Sequence, residues 1–418
     1  MTSPRLLVLG AGRHQAKLIA RAEERGIATV AVDYYPDAPG KRWSSIPELA
    51  DALDVTANIE LAHRHRVSGV VTTGTDLAVV TMAEVAAALG LPSYLSPVSA
   101  RTATDKLEMA SAFAADGIRR PRHWELDDPA RLSVLGEARY PLVVKPADSQ
   151  GQRGTSRVET PDGIGIAVAE ALRWSRRQTA VVEEYVEGFE ITVNAWVSDG
   201  HPHLLAVTDR VTYNPPPSIG IAFQHIFPSI RANGLLVEIT RQVEGIAGAY
   251  RMEQGPLYIQ MLVEGDDVWV VEAGGRVGGG HEASLIPMVT GVDLTDRMID
   301  LALTGRADPV GYDYQEEAES EHALVNFLLA GSGTVVSSSG LEQAIADGSI
   351  VEGAFYVNPG HVHEGVVNSL GRVGYFIARD TTRSALLERS RDAYLGLSLL
   401  SDRGDEMLFW PDPELVNG

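Results

Sequence analysis

Two of the four lysines in this chain lie where a phosphate-binding site would need them. The chain has 31 arginines and only 4 lysines, so lysine should persist where a planar guanidinium cannot replace a compact ammonium. Lys106 begins a predicted helix, and Lys145 ends the apolar strand predicted over 140–145. A glycine-containing turn at 149–156 follows. Ammonium groups and turn amides bind phosphate together, so we predict a phosphate site here. The alternative is that either lysine escaped the bias towards arginine by chance and has no such role.

Composition and charge exclude several classes of protein. At 418 residues, the chain predicts two or three domains. The net charge of −21 opposes binding to nucleic acid or to an anionic membrane. The absence of cysteine excludes disulfides, thiolate chemistry and zinc–thiolate sites. No apolar run reaches transmembrane length, and a strand begins within five residues. We therefore expect a soluble, cytoplasmic protein.

The elements that must position these residues begin with an α/β pattern. Short apolar strands are predicted at 6–9, 28–33 and 69–72, with amphipathic helices between and after them. This alternation favours a doubly wound parallel sheet. The turn at 10–15 resembles a dinucleotide fingerprint, but Gln15 stands where the third glycine would be. A turn that presents helix amides to an anion is therefore the preferred interpretation.

The pattern changes after the first hundred residues. A small group of strands with one helix and a glycine turn predicts a mobile lid, and α/β alternation resumes from about residue 200. The predicted division is an N-terminal α/β domain at 1–100, a lid subdomain with its leading helix at 101–200, and a base with a C-terminal subdomain at 201–418.

Three segments in this order resemble the ATP-grasp superfamily of carboxylate ligases. They are the two lysines with their turn, the acidic segment 181–190, and the predicted strands 258–262 and 268–273 with the glycine run 274–280. The resemblance covers roughly residues 5–400 and is greatest to the L-amino acid ligase, bacilysin synthetase-like, type. It implies an ATP-grasp architecture, α/β locally and α+β overall, with an N-terminal doubly wound parallel sheet, a small lid and a C-terminal α+β domain.

The resemblance implies an ATP site. Both lysines would contact phosphates, with Lys145 also catalytic, while the turn amides close over them. The backbone of 183–186 would read the adenine edge, and Glu190 would accept the ribose hydroxyls. A solvated acidic cluster is the alternative for these glutamates. The implied ATP-binding residues are Lys106, Lys145, Gly151, Gly154, Thr155, Ser156, Glu183, Glu184, Val186 and Glu190.

The resemblance also implies a metal site and a catalytic arginine. Gln260 and Glu272 would hold Mg²⁺, with Mn²⁺ as the alternative ion. The first position is usually acidic in the family, and the asparagine often found after the second ligand is Gly274 here, which weakens a second metal site. Arg276 would stabilise the charge of an acyl phosphate and its adduct; a purely structural pair with Glu272 is the alternative.

Substrate contacts are assigned to the glycine run and two strand-associated residues. His225 matches a substrate-contacting histidine of the L-amino acid ligases, with a buried structural histidine as the alternative. Asp76, after the third strand, would line a crevice at the carboxyl ends of the sheet. Gly278 and Gly279 complete this set. The family's ammonium-binding glutamate is Ala222 here and its pocket-closing tryptophan is Gly280, so we expect a donor that is larger or lacks a free α-amine.

The sequence therefore predicts an ATP-dependent carboxylate–amine ligase that forms an amide or peptide bond through an acyl phosphate. One alternative is an ATP-grasp enzyme of the purine-pathway or carboxylase type. The other is an ATP-binding regulatory protein without turnover. The expected partners are a small-molecule carboxylate and amine, without nucleic acid or membrane, and a homodimer is left open.

Overall fold

The computed structural model describes residues 4–315 and 321–417. Residues 1–3, 316–320 and 418, which belong to the predicted terminal domains, lie outside the described residues. None of the described helices is both long and apolar enough to cross a membrane. Short 3₁₀ turns supplement the helices and strands given below, at Pro39–Trp43, Leu132–Leu135, Ser369–Gly371 and Pro413–Leu415.

A parallel sheet with strand order β3-β2-β1-β4 opens the fold. Its central strands are apolar and buried, as expected for a sheet covered on both faces. The half-exposed strand β3 was not predicted, because its sequence lacks an apolar run. The elements are β1 (Arg5–Leu9), α1 (Arg13–Glu24), β2 (Ala28–Asp33), β3 (Ile46–Leu49), α2 (Val55–His65), β4 (Gly69–Val71), α3 (Leu77–Leu89) and α4 (Pro97–Thr102).

The lid is a small antiparallel sheet, order β5-β8-β6-β7, covered by one helix. Ile164, Val168 and Leu172 recur at helical spacing in that helix and pack into the cluster formed by the buried strand residues. The elements are α5 (Lys106–Ala115), β5 (His123–Leu126), β6 (Leu142–Pro146), β7 (Ser156–Val158), α6 (Pro161–Trp174) and β8 (Ala180–Glu184).

A large antiparallel sheet forms the base, in the order β13-β12-β9-β10-β11-β14-β18-β16, with β20 paired to β10. Helices α7, α8, α9 and α11 pack against it or its flanks. Its elements are β9 (Phe189–Ser198), β10 (His201–Tyr213), β11 (Ile221–Phe227), α7 (Leu236–Ala249), β12 (Gln254–Glu264), β13 (Asp267–Gly274), α8 (Glu282–Thr290), α9 (Leu294–Thr304), β14 (His322–Leu328), β16 (Glu352–Phe355), β18 (Gly374–Asp380), α11 (Arg383–Leu395) and β20 (Val416–Asn417).

A third small sheet and the hydrophobic core complete the architecture. Strands β15 (Gly333–Ser339), β17 (Val362–His363) and β19 (Ser398–Ser401) pair antiparallel, next to α10 (Leu341–Ala346). One continuous buried cluster joins the parallel sheet to β9, β10 and β12 of the base. Strand β9 falls within the predicted lid range but pairs only with base strands among the described residues. The predicted order of an N-terminal parallel sheet, a small lid and a large C-terminal base is confirmed.

Candidate active site

A cavity of about 940 Å³, its open mouth included, lies between the lid and the base. It receives side chains from the ends of β6 and β8, from the glycine turn and from the facing strands β12 and β13. Most of the predicted ATP and metal residues line it, whereas Gly154 and Ser156 lie in the same turn but not among the lining residues. The predicted residues around the cavity are Lys106, Lys145, Gly151, Thr155, Glu183, Glu184, Val186, Glu190, Gln260 and Glu272.

The turn between β6 and β7 depends on glycine. Gly154 has φ +68°, and a Cβ atom there would stand 2.7 Å from the Trp174 ring and 3.1 Å from Pro146. A side chain would therefore be strained by both backbone conformation and contact. The turn reaches both neighbouring parts of the fold, because Asp76 N donates to Gln150 Oε1 at 2.9 Å and Ser369 N donates to Gly151 O at 3.1 Å. The lid turn is thus held down over the cavity.

Lys106 is oriented by a helix cap and a carboxylate. Asp105 caps α5 by accepting hydrogen bonds from Leu107 N and Glu108 N. The next residue, Lys106, sends its Nζ 3.0 Å from Glu272 Oε1 and donates to Ser149 O at 2.8 Å. Burial alone would raise the pKa of Glu272, but Lys106 and Lys145 outweigh it and lower that pKa to about 2. Both members of the pair are therefore charged at neutral pH.

Lys145 forms the second buried pair of the cavity. Its Nζ lies 2.7 Å from Glu183 Oε2, and Arg120 Nη2 lies 3.3 Å from the other oxygen of that carboxylate. Glu183 and Glu184 are both buried, so the solvated-cluster alternative is wrong for these two residues. The backbone of 183–186 borders the cavity, while the Glu183 side chain neutralises the lysine from the lid side.

Glu190 and a residue far along the chain line another wall. The Glu190 carboxylate pairs with the buried Arg210, whose Nη2 donates to Gly220 O at 2.9 Å. Asn417 of β20 also lines the cavity, and its Nδ2 donates to Gly188 O at 2.9 Å. Asn417 was not predicted from the sequence. It belongs to a two-residue strand more than 200 positions from Gly188, and no local pattern indicates that the two residues are in contact.

Gln260 and Glu272 stand directly opposite each other on β12 and β13. Tyr258 Oη accepts a hydrogen bond from Gln260 Nε2 at 3.1 Å, which orients the amide. A cross-strand amide and carboxylate provide the oxygen donors that Mg²⁺ prefers, and phosphate oxygens and water would complete its shell. The two residues therefore fit a magnesium ion shared with a nucleotide.

Arg276 lies beyond the end of β13 and is not among the residues that line the cavity between lid and base. Its Nε and Nη2 donate to Asp76 Oδ1 and Oδ2 at 2.7 and 2.9 Å, and its guanidinium lies 4.5 Å from the centre of the Tyr258 ring. The pair with Glu272 weighed as an alternative is wrong, because that carboxylate pairs with Lys106. The fork is fixed by a carboxylate on one side and an aromatic ring on the other.

The glycine run after Arg276 packs tightly around a glutamate that sequence reasoning missed. Gly280 N donates to Glu282 Oε2 at 2.6 Å, and Glu282 is 2% exposed. A Cβ at Gly278 would stand 2.4 Å from the Glu282 carboxyl carbon, and one at Gly279 would stand 2.9 Å from Gly74 O. The run is thus glycine because the Glu282 carboxylate and the loop after β4 occupy the space beside it.

His225 faces the same space from β11. A Cβ at Gly280 would stand 2.9 Å from His225 Nε2 and 2.7 Å from Glu282 Oε1. Burial, with Arg210 and Arg372, lowers the pKa of His225 well below its usual value, so the ring is neutral. Glu282 is the first residue of α8 and follows His281, which has φ +65°. Because acidic residues are common in the first turn of a helix, its position did not indicate a function.

A second cavity, of about 920 Å³ with its open mouth included, adjoins the glycine run at Gly278. Arg13, Lys17 and Arg42 give it fixed positive charge within a chain of net charge −21. His14 and His281 also line it, but burial foremost, with nearby cations, lowers the pKa of His14 to about 4 and that of His281 well below its usual value. The acidic residue of this cavity, Glu352, accepts a hydrogen bond from Tyr375 Oη at 2.5 Å. This cavity suits an anionic group.

Comparisons with known proteins identify the domains of the chain. A model of the ATP-grasp domain matches residues 138–284, and a model of L-amino acid ligase C-terminal domain 2 matches residues 326–398. A formate-dependent phosphoribosylglycinamide formyltransferase of Marinobacter nauticus is 26% identical over 368 residues, which are 82% of this chain and 85% of the relative.

Solved structures show the same fold. The L-amino acid ligase of Bacillus licheniformis has a TM-score of 0.81 at 20% identity, covering 96% of this chain and 99% of that one. The phosphoribosylglycinamide synthetase of Anaerococcus prevotii has a TM-score of 0.75 at 20% identity, covering 96% and 100%. The fold is therefore that of the ATP-grasp ligases, and residues 138–284 match their ATP-grasp domain. The match to the ATP-grasp domain supports the predicted ligase class and the predicted cofactors, ATP and Mg²⁺.

Proposed function

We propose that this protein is an ATP-dependent carboxylate–amine ligase that works through an acyl phosphate. The observation that carries this proposal is the convergence of Lys106, Lys145, Gln260 and Glu272 on one cavity, with the fixed fork of Arg276 beyond it. The lysines would hold the phosphates of ATP. The carboxylate of the donor would lie towards Arg276, whose charge favours the anionic transition state.

The chain's own residues would neutralise charge and exclude water. A bound Mg²⁺ held by Gln260 and Glu272 would supply Lewis-acid polarisation of the phosphate oxygens. Lys106 pairs with Glu272 in this structure, so it would turn from that carboxylate towards phosphate when a nucleotide and its metal bind. The lid turn, tied to Asp76 and Ser369, would keep water from hydrolysing the acyl phosphate.

For the substrates, the curated relatives favour the purine-pathway alternative over peptide formation. Their name describes formate-dependent formyl transfer to phosphoribosylglycinamide. We therefore propose a small carboxylate as donor and an amine that carries an anionic group as acceptor. The cavity with Arg13, Lys17 and Arg42 supports this, since these side chains would bind a phosphate or carboxylate of the acceptor.

An L-amino acid ligase is the second candidate. The match of residues 326–398 to the C-terminal domain of that family supports it. Ala222 is buried in a small apolar cluster beside α8, so the ammonium-binding acid of that family has no counterpart at this position. The prediction that a free α-amino acid is a poor donor therefore stays a prediction.

A two-way substrate screen tests both candidates. Formate and the common amino acids serve as carboxylates, phosphoribosylglycinamide and the same amino acids serve as amines, and ATP alone is the blank. Phosphate release and product mass are measured for each pair. Formyl transfer to the phosphorylated amine would support the first candidate, and efficient joining of two free L-amino acids would replace it with the second. Binding of ATP without phosphate release for any pair would favour the regulatory alternative.

A further inference from the structure

Glu282 has a carboxylate oxygen that is buried and free. Its Oε2 accepts from Gly280 N at 2.6 Å, whereas Oε1 has no hydrogen-bond partner among the residues that the structure describes. Leaving a carboxylate oxygen buried without a partner costs free energy. Such an atom beside a reaction site indicates a missing partner that can donate a hydrogen bond.

The surroundings of Oε1 define where that partner would lie. The oxygen and His225 Nε2 are both within 3 Å of the position that a Cβ at residue 280 would occupy. Gly278 and Gly280 carry no side chain to cover the carboxylate. Gly278 lies two residues after Arg276 and borders the cationic cavity. A donor group that reaches Oε1 would thus lie beside Gly278, at the border of the proposed acceptor pocket.

We propose that Glu282 is a catalytic residue that binds the attacking amine and accepts its proton. This rests on the proposed function and extends it to the amine. A substrate amine arrives as an ammonium ion, which can donate the hydrogen bond that Glu282 Oε1 lacks. The ammonium nitrogen cannot attack until it loses a proton. Neutral His225 would accept a second hydrogen bond from the same nitrogen or leave it room.

The reaction then balances as follows. One proton moves from the ammonium nitrogen to Glu282 Oε1, which frees the nitrogen lone pair. The lone pair forms the C–N bond at the acyl carbon, and the C–O bond to phosphate breaks with its electron pair going to the phosphate oxygen. The second nitrogen proton leaves with phosphate as hydrogen phosphate. The proton on Glu282 passes to solvent when the product departs.

The charged groups that face Glu282 suit this role. Burial raises the pKa of Glu282, although Arg276 and Arg372 act against the increase. Tyr258 and neutral His225 are the other titratable groups around it. A carboxylate with a raised pKa is a stronger base near neutral pH, while backbone N–H groups and the two arginines favour its ionised form.

The test separates activation of the carboxylate from attack by the amine. Hydroxylamine is uncharged near neutral pH and attacks acyl phosphates without prior proton removal. Wild type and Glu282→Gln are assayed with ATP and the carboxylates of the screen, first with hydroxylamine and then with the amines. We expect the variant to retain hydroxamate formation and to lose amine coupling by about 100-fold or more. Exposed Glu264→Gln, on the end of β12, is the matched control and should match wild type in both assays.

Three outcomes would overturn the proposal. Equal loss of both reactions in a folded Glu282→Gln would assign Glu282 to carboxylate activation, and unchanged amine coupling would show that the residue is dispensable. Absence of hydroxamate in the wild type with every carboxylate would overturn the proposed function itself. If Glu282→Gln does not fold, as judged by melting temperature, Glu282→Asp takes its place, again with a larger loss of amine coupling than of hydroxamate formation expected.

Discussion

Arg276 and Asp76 form a two-point ion pair across 200 positions of sequence, with N–O distances of 2.7 and 2.9 Å. Asp76 follows the strand β4 of the parallel sheet, and Arg276 follows β13 of the base. Gly74 N also donates to Val277 O at 3.2 Å, and the backbone N–H of Asp76 donates to Gln150 of the lid turn. The pair therefore fixes the arginine at the point where three parts of the fold meet.

Asp76→Asn is expected to slow the reaction without weakening nucleotide binding. An amide keeps the shape of the side chain but loses the charge that holds the guanidinium fork, so Arg276 can move. A displacement of about 1 Å at a reacting centre can cost about 100-fold in rate. We expect kcat to fall by about 10- to 100-fold, with KM for ATP near the wild-type value, as measured by steady-state kinetics. A raised KM for ATP with unchanged kcat would contradict the positioning role.

Lys145→Ala is expected to abolish ATP binding or phosphoryl transfer. Lys145→Arg should fail as well, because a rigid guanidinium cannot occupy the tight space between Glu183 and a phosphate. The alanine variant also leaves Glu183 with Arg120 as its remaining ion-pair partner. We therefore also expect the free energy of unfolding to fall by at most about 3–5 kcal/mol. ATP titration and a thermal melt separate the two effects. Normal turnover in either variant would show that Lys145 does not contact phosphate.

Glu272→Gln is expected to reduce turnover by about 100-fold or more, because the pair of metal-binding residues then contains no carboxylate. Raising the Mg²⁺ concentration should restore activity only in part. Turnover as a function of Mg²⁺ concentration is the measurement, with Glu264→Gln on the adjacent strand as control. If the variant kept the wild-type Mg²⁺ dependence, the ion would be bound elsewhere.

Mild acid is expected to destabilise the fold through neutral histidines that are buried or partly buried. Burial, with Arg372, Arg276 and Arg13, lowers the pKa of His14 from 6.5 to about 4. The unfolded chain therefore takes up this proton first, and stability is lost as the pH falls below about 6.5, with a slope of up to about 1.4 kcal/mol per pH unit for each such histidine. His225 and His281 contribute in the same direction.

In His14→Gln, the slope of the free energy of unfolding against pH should fall by up to the contribution of one proton, about 1.4 kcal/mol per pH unit. Urea unfolding of wild type and variant at several pH values between about 7 and 5 gives the two slopes. Parallel slopes would mean that His14 is protonated equally in the folded and unfolded chain.

The fold class, and most of the residues that line the cavity between lid and base, could be predicted from the sequence. Apolar runs placed β1, β2, β6 and β8 close to their observed bounds, since burial on both faces demands such runs. Lys106, Lys145 and the turn carried a local signal, because phosphate binding needs specific residues at strand and helix ends. The pairing of β9 with the base was not readable, since its alternation of side chains is the same whichever sheet receives it.

The tertiary structure alone decided the contacts around Arg276. Asp76 was predicted only as a crevice residue, because no local pattern links it to an arginine 200 positions away. Glu282 gave no signal, since its side chain follows the left-handed backbone of His281 and lies where side chains at residues 278 and 280 would otherwise be. Sequence motifs report what a segment needs locally, whereas the partner of a buried charge is set by how distant segments pack.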